Sequence, residues 1–307
     1  MTDTGATDVA FAYVDVFAAK PLTGAPLTLV PDADGIVEEQ MRAVAREFNQ
    51  SETTFVQRPV RPGTTYRLRS FTPSGAEVFG AGHNALGAWL WLAQSGRLDG
   101  DGGTFVQHIG DDVLPVHVER PDGGPAVVTM EQSAPVFGAV ATDRAGLAGA
   151  LGLSPDDLVA DRDARVVSTG AGHLLVPVRD RAGVDRAAPD AGRLTAVLRQ
   201  AGGEGCYLYT HDTVDPAATA YTRFFNPAMG IAEDPATGTA AGPLAALLVD
   251  GGDVAPRPAG EARVVVEQGH SMGRPSTIVV TVAGSRVRIS GSGLVVAQGT
   301  MLVPEAA

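Results

Sequence analysis

The sequence predicts an α+β protein made of two pseudo-symmetric halves, each a curled, mostly antiparallel sheet around one buried central helix. Three observations predict it. First, Arg69, Phe71 and Pro73 form an R-x-F-x-P string that recurs as Arg223, Phe225 and Pro227, always 154 residues later in a chain of 307. A repeat of that size marks a duplicated unit. Second, each copy runs into a Gly-rich turn and then a helix that is apolar on every side, and such a helix is buried. Third, hairpin-like alternation closes each half. A parallel α/β sheet fits less well, because the helices covering it keep one polar face. Gly80, Gly82 and Gly87 also miss the spacing of a dinucleotide-binding fingerprint.

The elements follow in order. An apolar stretch, Val9–Phe17, leads through a turn at Gly24-Ala25-Pro26 to a short strand, Leu27–Val30. Ile36, Met41, Val44, Ala45 and Phe48 lie near helical spacing and predict an amphipathic helix over 37–48. Ser51–Gln57 and Thr64–Phe71 read as strands, Ala85–Gln94 as the first buried helix, and Thr104–Glu119 as a hairpin. The second half retraces the plan. Val166 and Val167, a turn at Gly170-Ala171-Gly172 and a strand over Leu174–Val178 precede a helix over Leu194–Gln200. Strands Cys206–Tyr209 and Ala220–Phe225, a second buried helix over Ala240–Val249 and a hairpin over Val264–Val282 complete it. Pro121-Asp122-Gly123-Gly124-Pro125 reads as the crossover. The expected halves are therefore 1–124, with Glu52 and His83, and 125–307, with Asp234. About the last ten residues are expected to return to the first half.

Composition narrows the function. Net charge is −12 and no block of Lys or Arg occurs, which argues against nucleic acid or an anionic membrane as partner. The start, MTDTGATD, has neither the basic flank nor the apolar core of a secretory signal. The longest apolar run, Ala88–Ala93, is too short to span a bilayer, so a soluble cytoplasmic protein is expected. One cysteine, Cys206, precludes a disulfide framework or a two-thiol catalytic pair, and it reads as a small buried strand residue. One lysine, Lys20, followed by Pro21, is a poor Schiff-base candidate. The histidines lack metal-ligand spacing, so no metal site is expected.

Three residues could carry chemistry. Glu52 begins an apolar strand, where Phe55 and other apolar walls would raise its pKa and suit it as a general base; a solvated strand-end acid is the plainer reading. His83 stands at the mouth of the first buried helix, either capping it or, with neighbouring glycines, facing an anion. Asp234 stands before the second, where acids commonly complement the helix dipole. The repeat puts these two helix N-termini in equivalent positions, where both are expected to serve one small molecule.

Four motifs now resemble a known family. Ser51–Phe55 (S-E-T-T-F), Ala81–His83 (A-G-H), Glu233–Pro243 (E-D-P-A-T-G-T-A-A-G-P) and Glu267–Ser276 (E-Q-G-H-S-M-G-R-P-S) are similar to those of the phenazine-biosynthesis, PhzF-like isomerases, in the same order. The resemblance spans nearly the whole chain and implies the diaminopimelate-epimerase-like fold, matching the architecture read from the repeat. It implies that Glu52 shuttles a proton between two carbons, that His83 and Asp234 orient and polarise the substrate, and that backbone at Gly82, Gly238, Thr239 and Ala240 binds a carboxylate or enolate. It implies no cofactor and a homodimer. The cysteine positions of the related epimerases fall on Ala81 and Pro235, which removes two-thiol racemisation. Departures occur at Gly80, where the family has an aromatic residue, at Asn84, where it has Pro, and at Ala25, where it has Asn. The expected reaction is a proton and double-bond shift in a small carboxylate-bearing metabolite, trans-2,3-dihydro-3-hydroxyanthranilate being the first to try. An amino-acid epimerase of the same fold and a non-catalytic small-molecule binding or protective protein are the alternatives.

Overall fold

A computed structural model describes residues 6–122, 124–258 and 260–305. Gly123 of the expected crossover and the first five residues of the polar start lie outside the described residues. The chain divides into two units. Unit 1 runs to Met130 and resumes at Gly291, and unit 2 is Glu131–Ser290.

Unit 1 contains β1 Ala6–Val16, β2 Ala25–Val30, α1 Glu38–Phe48, β3 Thr53–Gln57, β4 Tyr66–Phe71, β5 Glu77–Val78, α2 His83–Gln94, β6 Gly102–Ile109 and β7 Asp112–Glu119. β8, Val127–Gln132, leads out of it. Unit 2 contains β9 Val136–Ala141, α3 Arg144–Ala150, β10 Ala164–Ser168, β11 Gly172–Pro177, α4 Arg181–Arg186, α5 Ala191–Ala201, β12 Gly205–Thr210, β13 Ala220–Asn226, β14 Ile231–Asp234, α6 Gly238–Asp250, β15 Ala262–Gln268 and β16 Ser276–Ala283.

The pairing pattern makes the duplication concrete. In unit 1 β1–β2, β3–β4 and β6–β7 are antiparallel, while β2–β3 and β4–β6 are parallel. In unit 2 β10–β11, β12–β13 and β15–β16 are antiparallel, while β11–β12 and β13–β15 are parallel. Parallel neighbours need a long crossover. α1 and α5 supply the first crossover of each unit, and α2 and α6 the second.

Both second-crossover helices are buried along their length, from Asn84 to Ala93 in α2 and through most of α6. Their glycines show how tightly the sheet wraps them. A Cβ at Gly87 would lie 2.5 Å from Leu27 Cδ2, and one at Gly242 would collide with the Gln132 amide. On the other face of each sheet lies a second apolar layer, with Met41, Val44, Phe55 and Phe71 beside α1 and Leu194, Leu198, Leu174 and Leu208 beside α5.

The repeated R-x-F string has a structural cause. Residues i and i+2 of a strand share a face. Arg69 and Arg223 therefore lie over the rings of Phe71 and Phe225, 5.0 and 4.9 Å from the centroids. A carboxylate from the next short strand completes each cluster: Glu77 pairs with Arg69 and Glu233 with Arg223, both at 2.7 Å. The offset is not constant, however. It is 154 between the arginines, but Glu77 and Glu233 are 156 apart, and the helix caps Gly82 and Thr237 are 155 apart. The register set by the R-x-F-x-P repeat slips by one residue at the helices, and Gly87 matches Gly242.

β9 and α3 were not anticipated. β9 is mostly exposed and interrupted by Gly138, and α3 is short and Gly-containing, so neither has a periodicity to read. The C-terminal strand Gly293–Pro304 belongs to unit 1, antiparallel to the whole of β1. Cys206 is fully buried, and burial pushes its thiol up to about 12. Among the described residues no helix is long and apolar enough to cross a membrane.

Candidate active site

In unit 1 the candidate residues meet at the N-terminus of α2. Glu52 directly precedes β3, and His83 is the first residue of α2. His83 Nε2 lies 3.0 Å from Glu52 Oε2, and the two side chains are 12% and 20% exposed. Ser51 Oγ lies 3.3 Å from the same nitrogen. Oε2 is buried where it meets the ring.

Burial alone pushes the Glu52 carboxyl up. The charge and close contact of His83, assisted by Ser51, outweigh burial and hold it below the usual 4.5. The raised value expected from the sequence is thereby corrected. Phe55, expected as an apolar wall, packs instead in the α1-side layer, 5.9 Å from the Phe71 ring.

The α2 mouth is shaped by Asn84. This side chain is buried; its Oδ1 accepts from Gly82 N at 2.8 Å, and its Nδ2 donates to Ser70 Oγ and Gly80 O, both at 3.0 Å. The Gly82 amide, expected to face a ligand, is thus engaged by Asn84. We expect Asn84→Ala to destabilise unit 1 by about 1–3 kcal/mol, because it leaves buried donors and acceptors unpaired. Urea denaturation beside wild type checks this. At Gly80 a Cβ would meet nothing within 4 Å, so the space is open. The aromatic residue comes one position earlier, where Phe79 rests against Gly110 and is 59% exposed.

In unit 2 Asp234 ends β14 and precedes the N-cap of α6, Thr237, whose hydroxyl donates to Asp234 Oδ2. Gln268 organises this turn from beneath. Its Oε1 accepts from Thr237 N at 3.1 Å, and its Nε2 donates to Asp234 O at 2.7 Å and Thr237 Oγ1 at 2.9 Å. Tyr207 OH donates to the same Oε1 at 2.8 Å, and Ser276 Oγ holds Pro235 O at 2.9 Å. Ala240 N bonds back to Thr237 O, so this expected ligand-facing amide is also engaged. The amides of Gly238 and Thr239 belong to the first turn, which has no intrahelical acceptor for them. Thr239 is half-buried, with its hydroxyl 3.3 Å from His173 Nε2. Among the described residues no three His, Cys, Asp or Glu side chains are grouped to hold a metal ion.

The strand registers identify what answers Glu52 in unit 2. Thr53 pairs with Phe71, and Cys206 with Phe225, the repeat partner of Phe71. Glu52 therefore corresponds to Gly205.

Comparison with known proteins places the chain in a family. The family model "Phenazine biosynthesis-like protein" (PhzC-PhzF) matches residues 14–299. The chain belongs to this family. A relative named trans-2,3-dihydro-3-hydroxyanthranilate isomerase, from Pseudomonas chlororaphis, is 31% identical over 95% of this chain and 99% of its own. The crystal structure of a Bacillus anthracis PhzF-family phenazine biosynthesis protein superposes with a TM-score of 0.89, covering 97% of this chain and 100% of that one at 27% identity. A hydroxyproline epimerase from Agrobacterium vitis shares the fold, with a TM-score of 0.60 at 13% identity over 97% of this chain and 93% of that one. As a PhzF-family member the protein is an isomerase.

The motif from Glu267 to Ser276 carries no role that its sequence alone reveals. In this PhzF-family isomerase they form a cradle. Glu267 accepts from Val214 N and Asp215 N, both at 2.8 Å, while Gln268 and Ser276 hold the turn after Asp234. His173, in a Gly-His dipeptide among apolar strand residues, gave no signal of its own.

Proposed function

We propose that this isomerase moves a proton, and with it a double bond, within a small carboxylate-bearing metabolite of the trans-2,3-dihydro-3-hydroxyanthranilate type, without a cofactor. Glu52 takes the proton from one carbon and returns it to another, so the net reaction is a redistribution within the substrate. His83 orients Glu52 and polarises the substrate. Asp234, held by Thr237 and Gln268, orients a substrate polar group. The Gly238 and Thr239 amides bind a carboxylate or the developing enolate, as preorganised donors do for such charge. Gly82 and Ala240 line the helix mouths without donating.

The observation that carries this reading is the 3.0 Å contact between Glu52 and His83 at the start of a buried helix. An epimerase needs a second acid/base group. The unit 2 position answering Glu52 is Gly205, which favours the one-base shift. The reading includes a homodimer in the cytoplasm; light scattering at twice the chain mass would support it, and a monomer would not.

The pH profile tests the proposed base. A carboxylate whose pKa is held below 4.5 is protonated, and lost as a base, only as the pH falls through that lowered pKa. The midpoint of the acid limb of wild-type kcat/KM is therefore expected below 4.5. His83→Gln removes the lowering charge and leaves burial, which should move that limb upward. An unmoved limb would exclude Glu52 as the group it reports.

A further inference from the structure

We propose that His173 is a positioning residue: as the neutral Nε2–H tautomer it donates to Thr239 Oγ1 and leaves the Thr239 hydroxyl proton for a substrate oxygen. This rests on the reading that the α6 N-terminus binds such an oxygen. All the groups involved lie within unit 2.

His173 is the second residue of β11, is 3% exposed, and pairs in register with Gly205 of β12. A Cβ at Gly205 would stand 3.1 Å from His173 Nδ1 and 2.4 Å from Phe224 Cζ. Gly205 is what allows the imidazole and the Phe224 ring to occupy this space. The two rings meet edge-on, with centroids 5.1 Å apart at 89°. In unit 1 the corresponding strand position supplies Glu52, which touches the first residue of α2. In unit 2 the imidazole approaches the second residue of α6, with Nε2 3.3 Å from Thr239 Oγ1.

The tautomer follows from which nitrogen has a partner. Nδ1 is buried and has no hydrogen-bond partner among the described residues. A buried N–H without an acceptor is rarer and costlier than a buried acceptor without a donor. A contact of that N–H with the Phe224 ring recovers only part of the loss. The proton therefore belongs on Nε2. Burial holds the ring well below its ordinary pKa, at about 4, so it is neutral at neutral pH. Thr239 Oγ1 then accepts from the ring, and its own proton points elsewhere. With the Gly238 and Thr239 amides, the first turn of α6 then presents three donors, and one of the two hydroxyl lone pairs is occupied. That favours an oxygen acceptor over an N–H.

The test has two arms. In the first, protein labelled with 15N-histidine is examined by NMR at neutral pH, with His173→Gln assigning the signal. The Nε2–H pattern is expected, and its preference should weaken in Thr239→Val; the Nδ1–H pattern would overturn the inference. In the second, 3-hydroxyanthranilate and its primary carboxamide are titrated into wild type, His173→Gln and His173→Leu, each with and without Thr239→Val. His173→Leu should reduce the preference for the carboxylate about tenfold, the scale of one hydrogen bond to a charged group. His173→Gln, which keeps a donor at similar reach, should retain most of it. In the Thr239→Val background His173→Leu should change nothing further. Equal weakening of both ligands, or an undiminished effect without the Thr239 hydroxyl, would overturn the proposal. If wild type binds neither probe, the substrate reading fails, and the tautomer arm still decides the role of His173.

Discussion

Glu52→Gln is expected to lower turnover on the order of a thousandfold, within the range a general acid/base contributes. The amide keeps the shape of the carboxylate and its position before β3 but has no basic lone pair of comparable strength. Binding of a substrate analogue should change by only a few-fold, because the carboxylate-binding groups proposed here lie at Gly238 and Thr239. A fall in kcat with KM nearly unchanged is the expected signature of a group acting in the transition state. Steady-state kinetics on both proteins check it, alongside urea curves to show that the variant folds. A merely structural ion pair would instead lower stability and leave kcat close to wild type.

The second large effect is on stability. Arg223 is a heavily engaged charge of unit 2. Its Nε and Nη2 bind both oxygens of Glu233, at 2.9 and 2.7 Å, and its Nη1 donates to the carbonyls of Val184, Asp185 and Ala187 at 2.8–3.1 Å. The side chains of the pair are 9% and 16% exposed. Arg223→Met should cost about 3–5 kcal/mol, because it strands a largely buried carboxylate and frees the end of α4. Arg69→Met should cost less, since Glu38, one of its two carboxylate partners, is 49% exposed. The double variant Arg223→Met, Glu233→Leu should recover a substantial part of the loss, as apolar replacements of buried pairs do. Chemical denaturation of the three variants provides the measurement. Equal losses for Arg223→Met and Arg69→Met would mean that burial does not set the cost.

The legible part of the fold was the part written in side-chain periodicity. β4 and β13 announced themselves because an arginine must reach across two residues to a phenylalanine on the same face. α2 and α6 did so because nothing polar interrupts them. The exposed β9, the short α3 and the one-residue slip at the helix caps were not legible, since turns absorb insertions without disturbing the strands on either side. In the site, Glu52, His83 and Asp234 were reached through motif and position. Their surroundings were not. Whether Glu52 is raised or lowered depends on His83 at 3.0 Å, a distance no spacing of 31 residues encodes. The engagement of Gly82 by Asn84 was equally hidden. The Asn in place of Pro was visible only as a departure from the family pattern, whereas its buried amide ties Ser70, Gly80 and Gly82 together. Gln268 and His173 act by holding other groups, a role visible only once strands distant in sequence are paired.

Glu52 is proposed to move one proton within the substrate. The most direct test is incubation with trans-2,3-dihydro-3-hydroxyanthranilate in D2O, wild type beside Glu52→Gln, followed by NMR and mass spectrometry. Wild type is expected to consume the substrate, with a shifted double bond and deuterium delivered to a new carbon, and the variant to do so on the order of a thousandfold more slowly. Isomerisation at a near wild-type rate in Glu52→Gln, or inversion of a stereocentre without a double-bond shift, would contradict this.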